Sequence, residues 1–160
     1  MGATSASMAD NSGPIEKRIL SKNWSVRAGA YDELLNLCKN DQPNSKKDHY
    51  NQHCAEWKVY LKDSNPGALE KALDCLLAFL DKIHPSILVP NQNSLILMLT
   101  EKCLGHAKPN IKSKALECFM LIFEVGENFD ESIETLDSLL KHKNIKVMTS
   151  GTQAVASLVE

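Results

Sequence analysis

Two groups of histidines and cysteines in the sequence carry side chains that can bind zinc. His49 and His53 lie four residues apart with Cys54 adjacent, and two residues separate Cys103 from His106. Zinc sites of the finger type take their ligands from closely spaced pairs, whereas these two groups belong to different predicted helical units. We therefore predict that the chain has no metal site and uses no cofactor.

Patterns that would support catalysis are missing from the sequence. It contains no nucleophile elbow and no glycine-rich loop that could hold a phosphate. The adjacent carboxylates Asp32–Glu33 and Asp130–Glu131 are more simply interpreted as exposed helix positions or as first-turn charges, which stabilise the N-terminus of a helix. We therefore predict that the chain is not an enzyme.

A tryptophan close to several cations indicates binding instead. In the segment KNWSVRAGAYDELLNL, from Lys22 to Leu37, Trp24 stands in a predicted turn just ahead of an amphipathic helical pattern. A large aromatic side chain supplies buried area in an interface, and flanking cations steer an acidic protein toward it. The alternative is that the indole folds back on the first helix and covers the end of the domain. The pattern alone leaves both open.

The composition favours one helical domain. The chain has 160 residues, of which 43% are hydrophobic and 24% charged, and its formal net charge is -2. This charge gives no whole-protein argument for nucleic acid as a partner. No apolar run approaches the length of a membrane span or a signal peptide, so we predict no membrane contact and a cytoplasmic location. The five cysteines lie mostly on apolar helical faces and are predicted to be reduced core thiols.

Hydrophobic spacing predicts an all-α fold after residue 13. Residues 1–13 are small and polar without periodicity, which indicates a disordered leader or an expression remnant. PGALEKALDCLLAFL from Pro66 then aligns without gaps on PNIKSKALECFMLIF, which begins 43 residues later at Pro109. A period of about 40 to 47 residues is typical of HEAT helix pairs. We predict an α-solenoid of about four HEAT units over residues 14–40, 47–84, 91–126 and 128–160.

The turn inside each predicted unit carries the candidate binding residues. The first helices are predicted over Ile15–Ser21, Lys47–Asp63, Asn91–Gly105 and Phe129–His142, and the turns over Lys22–Trp24, Ser64–Gly67, His106–Asn110 and Lys143–Asn144. Stacked units place such turns along one edge of a solenoid. This edge, which we call the basic ridge, comprises Lys22, Asn23, Trp24, Arg27, Ser64, Asn65, Lys108, Asn110, Lys112, Lys143, Asn144 and Lys146.

Three segments resemble the first TOG domain of the microtubule polymerase family. They are KNWSVRAGAYDEL, KDSNPGALEKALDCLLAFL and EKCLGHAKPNIKSKALECFMLIFEVGE, and the resemblance extends from Pro14 to Glu160. It implies that the turns bind the curved αβ-tubulin dimer, with Trp24 on β-tubulin beside Lys22 and Asn23. It also implies contacts from Ser64 and Asn65 in the second turn, Lys108 and Lys112 in the third, and Lys143 and Lys146 in the fourth. The implied location is the cytoskeleton, at microtubule plus ends, spindles, centrosomes or spindle poles.

The resemblance is incomplete at the C-terminal end. TOG domains usually have six HEAT units, and this sequence ends at Glu160 within its fourth, without the basic contact of the fifth turn. We therefore expect a partial domain that is less stable, or that associates weakly with itself, through the uncovered face of the fourth unit. A generic HEAT scaffold that binds another acidic protein, a peptide or nucleic acid along the ridge is the alternative, because HEAT periodicity alone does not specify a function.

Overall fold

A computed structural model describes residues 12–141 and 145–159 of the chain. Within these ranges the regular structure is helical, apart from an isolated bridge between Ser45 and Ile83, so the all-α prediction is confirmed. The helices are α1 Ile15–Arg18, α2 Trp24–Lys39, α3 Asp48–Cys54, α4 Trp57–Tyr60, α5 Pro66–Lys82, α6 Pro85–Leu88, α7 Gln92–Met98, α8 Pro109–Val125, α9 Asp130–Leu140 and α10 Ile145–Val159. A 3₁₀ turn, Val89–Asn91, precedes α7, and a π-helical turn, Leu99–Cys103, follows it.

The long second helices begin at strong local signals. The side chain of Asn23 caps α2, and that of Asn65 caps α5, each by accepting a hydrogen bond from a backbone N–H of the first turn. Pro66 and Pro109 occupy the first positions of α5 and α8, where the missing N–H costs nothing. The turn residues therefore fix where these helices start.

The second helices stack on one another to form the solenoid. Helix α2 packs on α5, α5 on α8, and α10 on both α8 and α9. Their apolar faces, which include Leu34, Leu73, Leu76, Phe119 and Ile122, belong to one continuous buried core. Since each helix covers its neighbour's apolar stripe, the predicted stack of helix pairs is confirmed. The division into units at the residues predicted above stays a prediction.

The first-helix layer is more broken than predicted. The expected helix Lys47–Asp63 is divided into α3 and α4, because a tight turn with a hydrogen bond from Glu56 N to His53 O interrupts it. This break places the fully buried Trp57 against Phe79, with ring centroids 5.5 Å apart. The other predicted first helices are also shorter, and residues 1–11, His142 and Glu160 lie outside the described ranges.

All five cysteines occupy buried positions as free thiols, as predicted. Burial raises the pKa of Cys38 and Cys54 to about 11 and that of Cys103 to about 12. These thiols therefore stay protonated at neutral pH and act as small core side chains. None of the helices that the structure describes is long and apolar enough to cross a membrane.

Candidate functional site

The first turn presents an exposed tryptophan on a fixed backbone. The Asn23 side chain accepts hydrogen bonds from Ser25 N at 3.0 Å and from Ser25 Oγ at 2.8 Å. Trp24 is the first residue of α2 and not, as predicted, part of the turn, because the Asn23 cap starts the helix there. Its side chain is 49% exposed, and Lys22 beside it is also exposed.

The second turn lies next to this tryptophan. A Cβ atom placed on Gly67 would lie 3.6 Å from Trp24 Cζ3, which is ordinary van der Waals contact. The indole ring therefore lies near the start of α5, at the second turn. In the same turn Asn65 Oδ1 accepts from Ala68 N at 3.0 Å, and Ser64 is exposed.

Arg27 differs from the other cations of the basic ridge. Its Nε and Nη2 atoms each lie 2.8 Å from one carboxylate oxygen of Asp63, and its Nη1 donates to Ser21 O at 2.9 Å. The hydrogen bonds that Arg27 donates to Asp63 raise the pKa of Arg27 above its usual value. Among the ridge cations that the sequence predicted, Arg27 therefore uses its charge within the chain, in an ion pair with Asp63.

The third turn carries exposed lysines at the start of α8. Lys108 precedes Pro109 and Lys112 lies in the first turn of the helix, and both side chains are exposed. The backbone N–H of Lys108 donates to His106 Nδ1 at 3.0 Å, which holds the turn in place of an Asn cap. In the described part of the chain neither lysine forms an ion pair, so both charges face solvent.

Helix α10, which follows the fourth turn in the chain, closely approaches the backbone just before the third turn. Lys143 and Asn144 fall outside the described residues, while Lys146 is exposed in the first turn of α10. A Cβ on Gly105 would lie only 2.8 Å from Ser150 Oγ and 3.9 Å from Lys146 O, so the backbone just before the third turn closely approaches α10. The described residues therefore bring Trp24 close to the second turn, and α10 close to Gly105 just before the third turn.

The histidines and cysteines considered as zinc ligands have structural contacts. His49 Nε2 lies 2.7 Å from Asp41 Oδ2, and His53 Nδ1 lies 2.9 Å from the Tyr60 hydroxyl. Among the described residues no group of three or more His, Cys, Asp or Glu side chains is placed to hold a metal ion.

Sequence reasoning missed Asp63 and Gly67. Asp63 was predicted only as the last residue of the helix Lys47–Asp63, yet it binds Arg27 and also accepts from Asn65 N at 3.0 Å. The available signal was the pattern Asp-x-Asn-Pro, in which an aspartate two residues before a helix cap can bond to the cap's backbone. Gly67 gave no comparable signal, because its contact with Trp24 joins residues far apart in sequence.

Comparison with known proteins identifies the family. Residues 10–160 match the family model described as XMAP215/Dis1/CLASP, TOG domain. The chain is 32% identical over 149 residues to Spindle pole body component alp14 of Schizosaccharomyces pombe, covering 92% of this chain and 18% of that protein. It is 32% identical over 130 residues to Centrosomal protein 224 of Dictyostelium discoideum, covering 81% of this chain and 6% of that protein.

The fold agrees with a solved structure. The match has a TM-score of 0.79 at 26% sequence identity and covers 91% of this chain and 30% of the other. That structure is described as "Structural Basis of Tubulin Recruitment and Assembly by Microtubule Polymerases with Tumor Overexpressed Gene (TOG) Domain Arrays". The chain thus spans less than a third of each of these proteins, and by sequence and fold it belongs to the XMAP215/Dis1/CLASP TOG-domain family.

Proposed function

We propose that this chain is a tubulin-binding module of a microtubule-associated polymerase. In this proposal the basic ridge binds the curved αβ-tubulin dimer and thereby promotes microtubule growth. The observation that carries it is the half-exposed Trp24 beside Gly67 at the second turn. The exposure of Lys22, Lys108 and Lys112 supports it. The names of the relatives, which refer to spindle poles and centrosomes, and the tubulin recruitment named for the solved structure support it.

Each part of the ridge has a distinct physical task in this proposal. Trp24 supplies most of the apolar area that the interface buries, as aromatic residues do at binding hot spots. Ser64 and Asn65 form polar contacts next to it, while Lys108, Lys112, Lys143 and Lys146 steer the acidic partner and set its orientation. Growth is promoted only if the module binds the curved dimer more tightly than the straight one, since a ligand shifts an equilibrium by its differential affinity.

The proposal includes where the protein acts. We place it in the cytoplasm on the microtubule cytoskeleton, at plus ends, spindles, centrosomes or spindle poles, and neither nucleic acid nor a membrane takes part. A second copy is a possible weak partner, because α9 and α10 expose Ile133 and Met148, which are 58% and 38% accessible. Sedimentation over a range of concentrations tests this self-association, and a monomer at all of them would refute it.

Gel filtration with free αβ-tubulin tests the main proposal. The wild-type chain is expected to co-elute with tubulin, and Trp24→Ala is expected to elute separately. Leu37→Ala is the matched control, because Leu37 is 43% exposed on the same helix but 13 residues from Trp24, about 20 Å along the axis. If the wild type does not co-elute, or Trp24→Ala binds as well as Leu37→Ala, the ridge is not a tubulin site. A scaffold for another acidic protein or peptide then becomes the better interpretation.

A further inference from the structure

One ion pair connects the first two turns of the basic ridge. Arg27 holds both carboxylate oxygens of Asp63 at 2.8 Å, and its Nη1 donates to the carbonyl oxygens of Ser21 at 2.9 Å and Lys22 at 3.3 Å. The guanidinium therefore fixes the backbone immediately before Trp24. We call this pair the Arg27–Asp63 clamp.

Asp63 fixes the second turn in the same way. Its Oδ1 accepts from the backbone N–H of Asn65 at 3.0 Å, and its Oδ2 lies 3.3 Å from the Tyr31 hydroxyl, which donates to it. The Asp63 side chain is 2% exposed, whereas that of Arg27 is 17% exposed, so neither offers much surface to a partner. The clamp thus joins the backbone that carries Trp24 to the backbone that carries Ser64 and Asn65.

The next pair of turns has no equivalent clamp. Lys71 and His106 lie 44 and 43 residues after Arg27 and Asp63, at the corresponding places in the repeat. Lys71 pairs with Asp32 at 3.4 Å, and His106 Nδ1 accepts from Lys108 N at 3.0 Å. In the ranges the structure describes, this arrangement therefore occurs between the first and second turns and is not repeated between the second and third.

We infer that Arg27 is a positioning residue that holds the first two turns as one rigid binding unit without touching the partner. The inference rests on the proposed tubulin function. A rigid unit binds more tightly because the relative position of Trp24 and the second turn is set before the partner arrives. Only arginine suits the position. Its planar guanidinium can donate hydrogen bonds to two carboxylate oxygens and two backbone carbonyls at the same time, and the single ammonium group of lysine cannot.

Affinity for αβ-tubulin, measured at several salt concentrations, tests this inference with Arg27→Met and Arg27→Lys. Both variants are expected to bind roughly tenfold more weakly, because each loses the guanidinium that fixes the first two turns relative to each other. The dependence of affinity on salt should stay as in the wild type. A cation that touches an acidic partner behaves differently, since its removal weakens the salt dependence.

Two further variants separate positioning from stability. Lys71→Met removes the ion pair with Asp32 between the same helices, α2 and α5, and should leave tubulin affinity unchanged. The double variant Arg27→Met with Asp63→Asn avoids leaving a buried carboxylate unpaired, so it should fold well but still bind weakly.

Fluorescence provides a readout that does not need tubulin. Trp57 is fully buried, so acrylamide quenching reports mainly on Trp24. Quenching should increase in Arg27→Met and in the double variant, because the indole is no longer held beside Gly67, and should be unchanged in Lys71→Met.

Three results would overturn the inference: wild-type affinity in Arg27→Lys, a weaker salt dependence in Arg27→Met, or an equal loss of affinity in Lys71→Met. If the wild type itself does not bind tubulin, the proposed function fails. The quenching comparison then still decides whether Arg27 positions Trp24, and equal quenching in all variants would refute that.

Discussion

The indole ring of Trp24 lies close to Gly67 at the start of the next long helix. The two residues are 43 positions apart in sequence, yet a Cβ on Gly67 would lie 3.6 Å from Cζ3 of the ring. The same Cβ would lie 3.2 Å from Asn65 Oδ1, which is tighter than most contacts of real Cβ atoms. The side of position 67 that faces the ring therefore has room for one methyl group but not for a branched side chain, and the half-exposed indole remains open to a partner.

A branched side chain at Gly67 should disturb the ring without unfolding the chain. Gly67→Val adds methyl groups where the indole lies, so we expect tubulin affinity to fall roughly tenfold. The change in unfolding free energy should stay below about 1 kcal/mol, because Gly67 is exposed in the first turn of α5. Titration calorimetry and thermal unfolding measure the two effects.

Gly67→Ala is the control for this change. A single Cβ meets the ring only at ordinary contact distance, so its affinity should stay within about threefold of the wild type. Equal affinity in the valine variant and the wild type would show that the position of the ring does not matter for binding.

Asp41 is the centre of a buried hydrogen-bond cluster at the end of α2. Its carboxylate accepts from Lys47 Nζ at 2.6 Å and from His49 Nε2 and the Tyr50 hydroxyl at 2.7 Å each. Burial opposes its charge, but these hydrogen bonds outweigh burial and lower the pKa of Asp41 below its usual 3.8. Asp41→Asn should therefore lower the free energy of unfolding by about 2 kcal/mol at pH 7.

The pH dependence of the same cluster has a definite sign. Because the folded pKa of Asp41 is depressed, its stabilising contribution is present above the unfolded pKa of about 3.9 and is lost as pH falls through the folded value. Thermal unfolding between pH 7 and pH 3 should show the gap between wild type and Asp41→Asn closing toward the acid end. Asp48→Asn, which changes an exposed carboxylate in the first turn of α3, is the control and should lower the free energy of unfolding by only about 0.3 kcal/mol at pH 7. A gap that stays constant with pH would refute the role of the charge.

Features that depend on local sequence could be predicted, and those that join distant residues could not. Asn65 and Pro66 mark the start of α5 because capping and a first-turn proline act within one turn of helix. The bond between Arg27 and Asp63 spans 36 positions, and nothing local distinguished Arg27 from a free cation. The break in the helix before Trp57 was missed for a related reason. It accompanies the packing of Trp57 on Phe79 in α5, and these two residues are far apart in sequence.

Repeated ion pairs between the long helices should stabilise the stack modestly. Lys114 of α8 lies 2.9 Å from Asp74 and 3.0 Å from Glu70 of α5, and Lys71 of α5 makes the same kind of contact with Asp32 of α2. Lys114→Met should lower the free energy of unfolding by about 0.5 to 1 kcal/mol, because the pairs are only partly shielded from water. Urea titration at low and high salt measures this, and the loss should shrink at high salt.

Lys141→Met is the matched control for Lys114. Lys141, the residue that ends α9, pairs with Asp137 of the same helix at 2.9 Å, and both side chains are largely exposed. Such a pair contributes little, so its removal should change stability by less than about 0.5 kcal/mol. An equal change in the free energy of unfolding in the two variants would show that the ion pairs between α5 and α8 stabilise the chain no more than an exposed pair does.

The exposed lysines at the start of α8 should act on binding through long-range attraction. Lys108 and Lys112 carry no ion pair in the described part of the chain, and a cation near a helix N-terminus opposes the helix dipole, which costs about 0.3 kcal/mol or more. Replacing both with Met should therefore leave stability unchanged or slightly raised, while tubulin associates several-fold more slowly and with a weaker salt dependence. Stopped-flow association at two salt concentrations measures this. Lys39→Met, at the far end of α2, is the control for general charge, and an equal slowing in that variant would show that net charge, not the basic ridge, steers the partner.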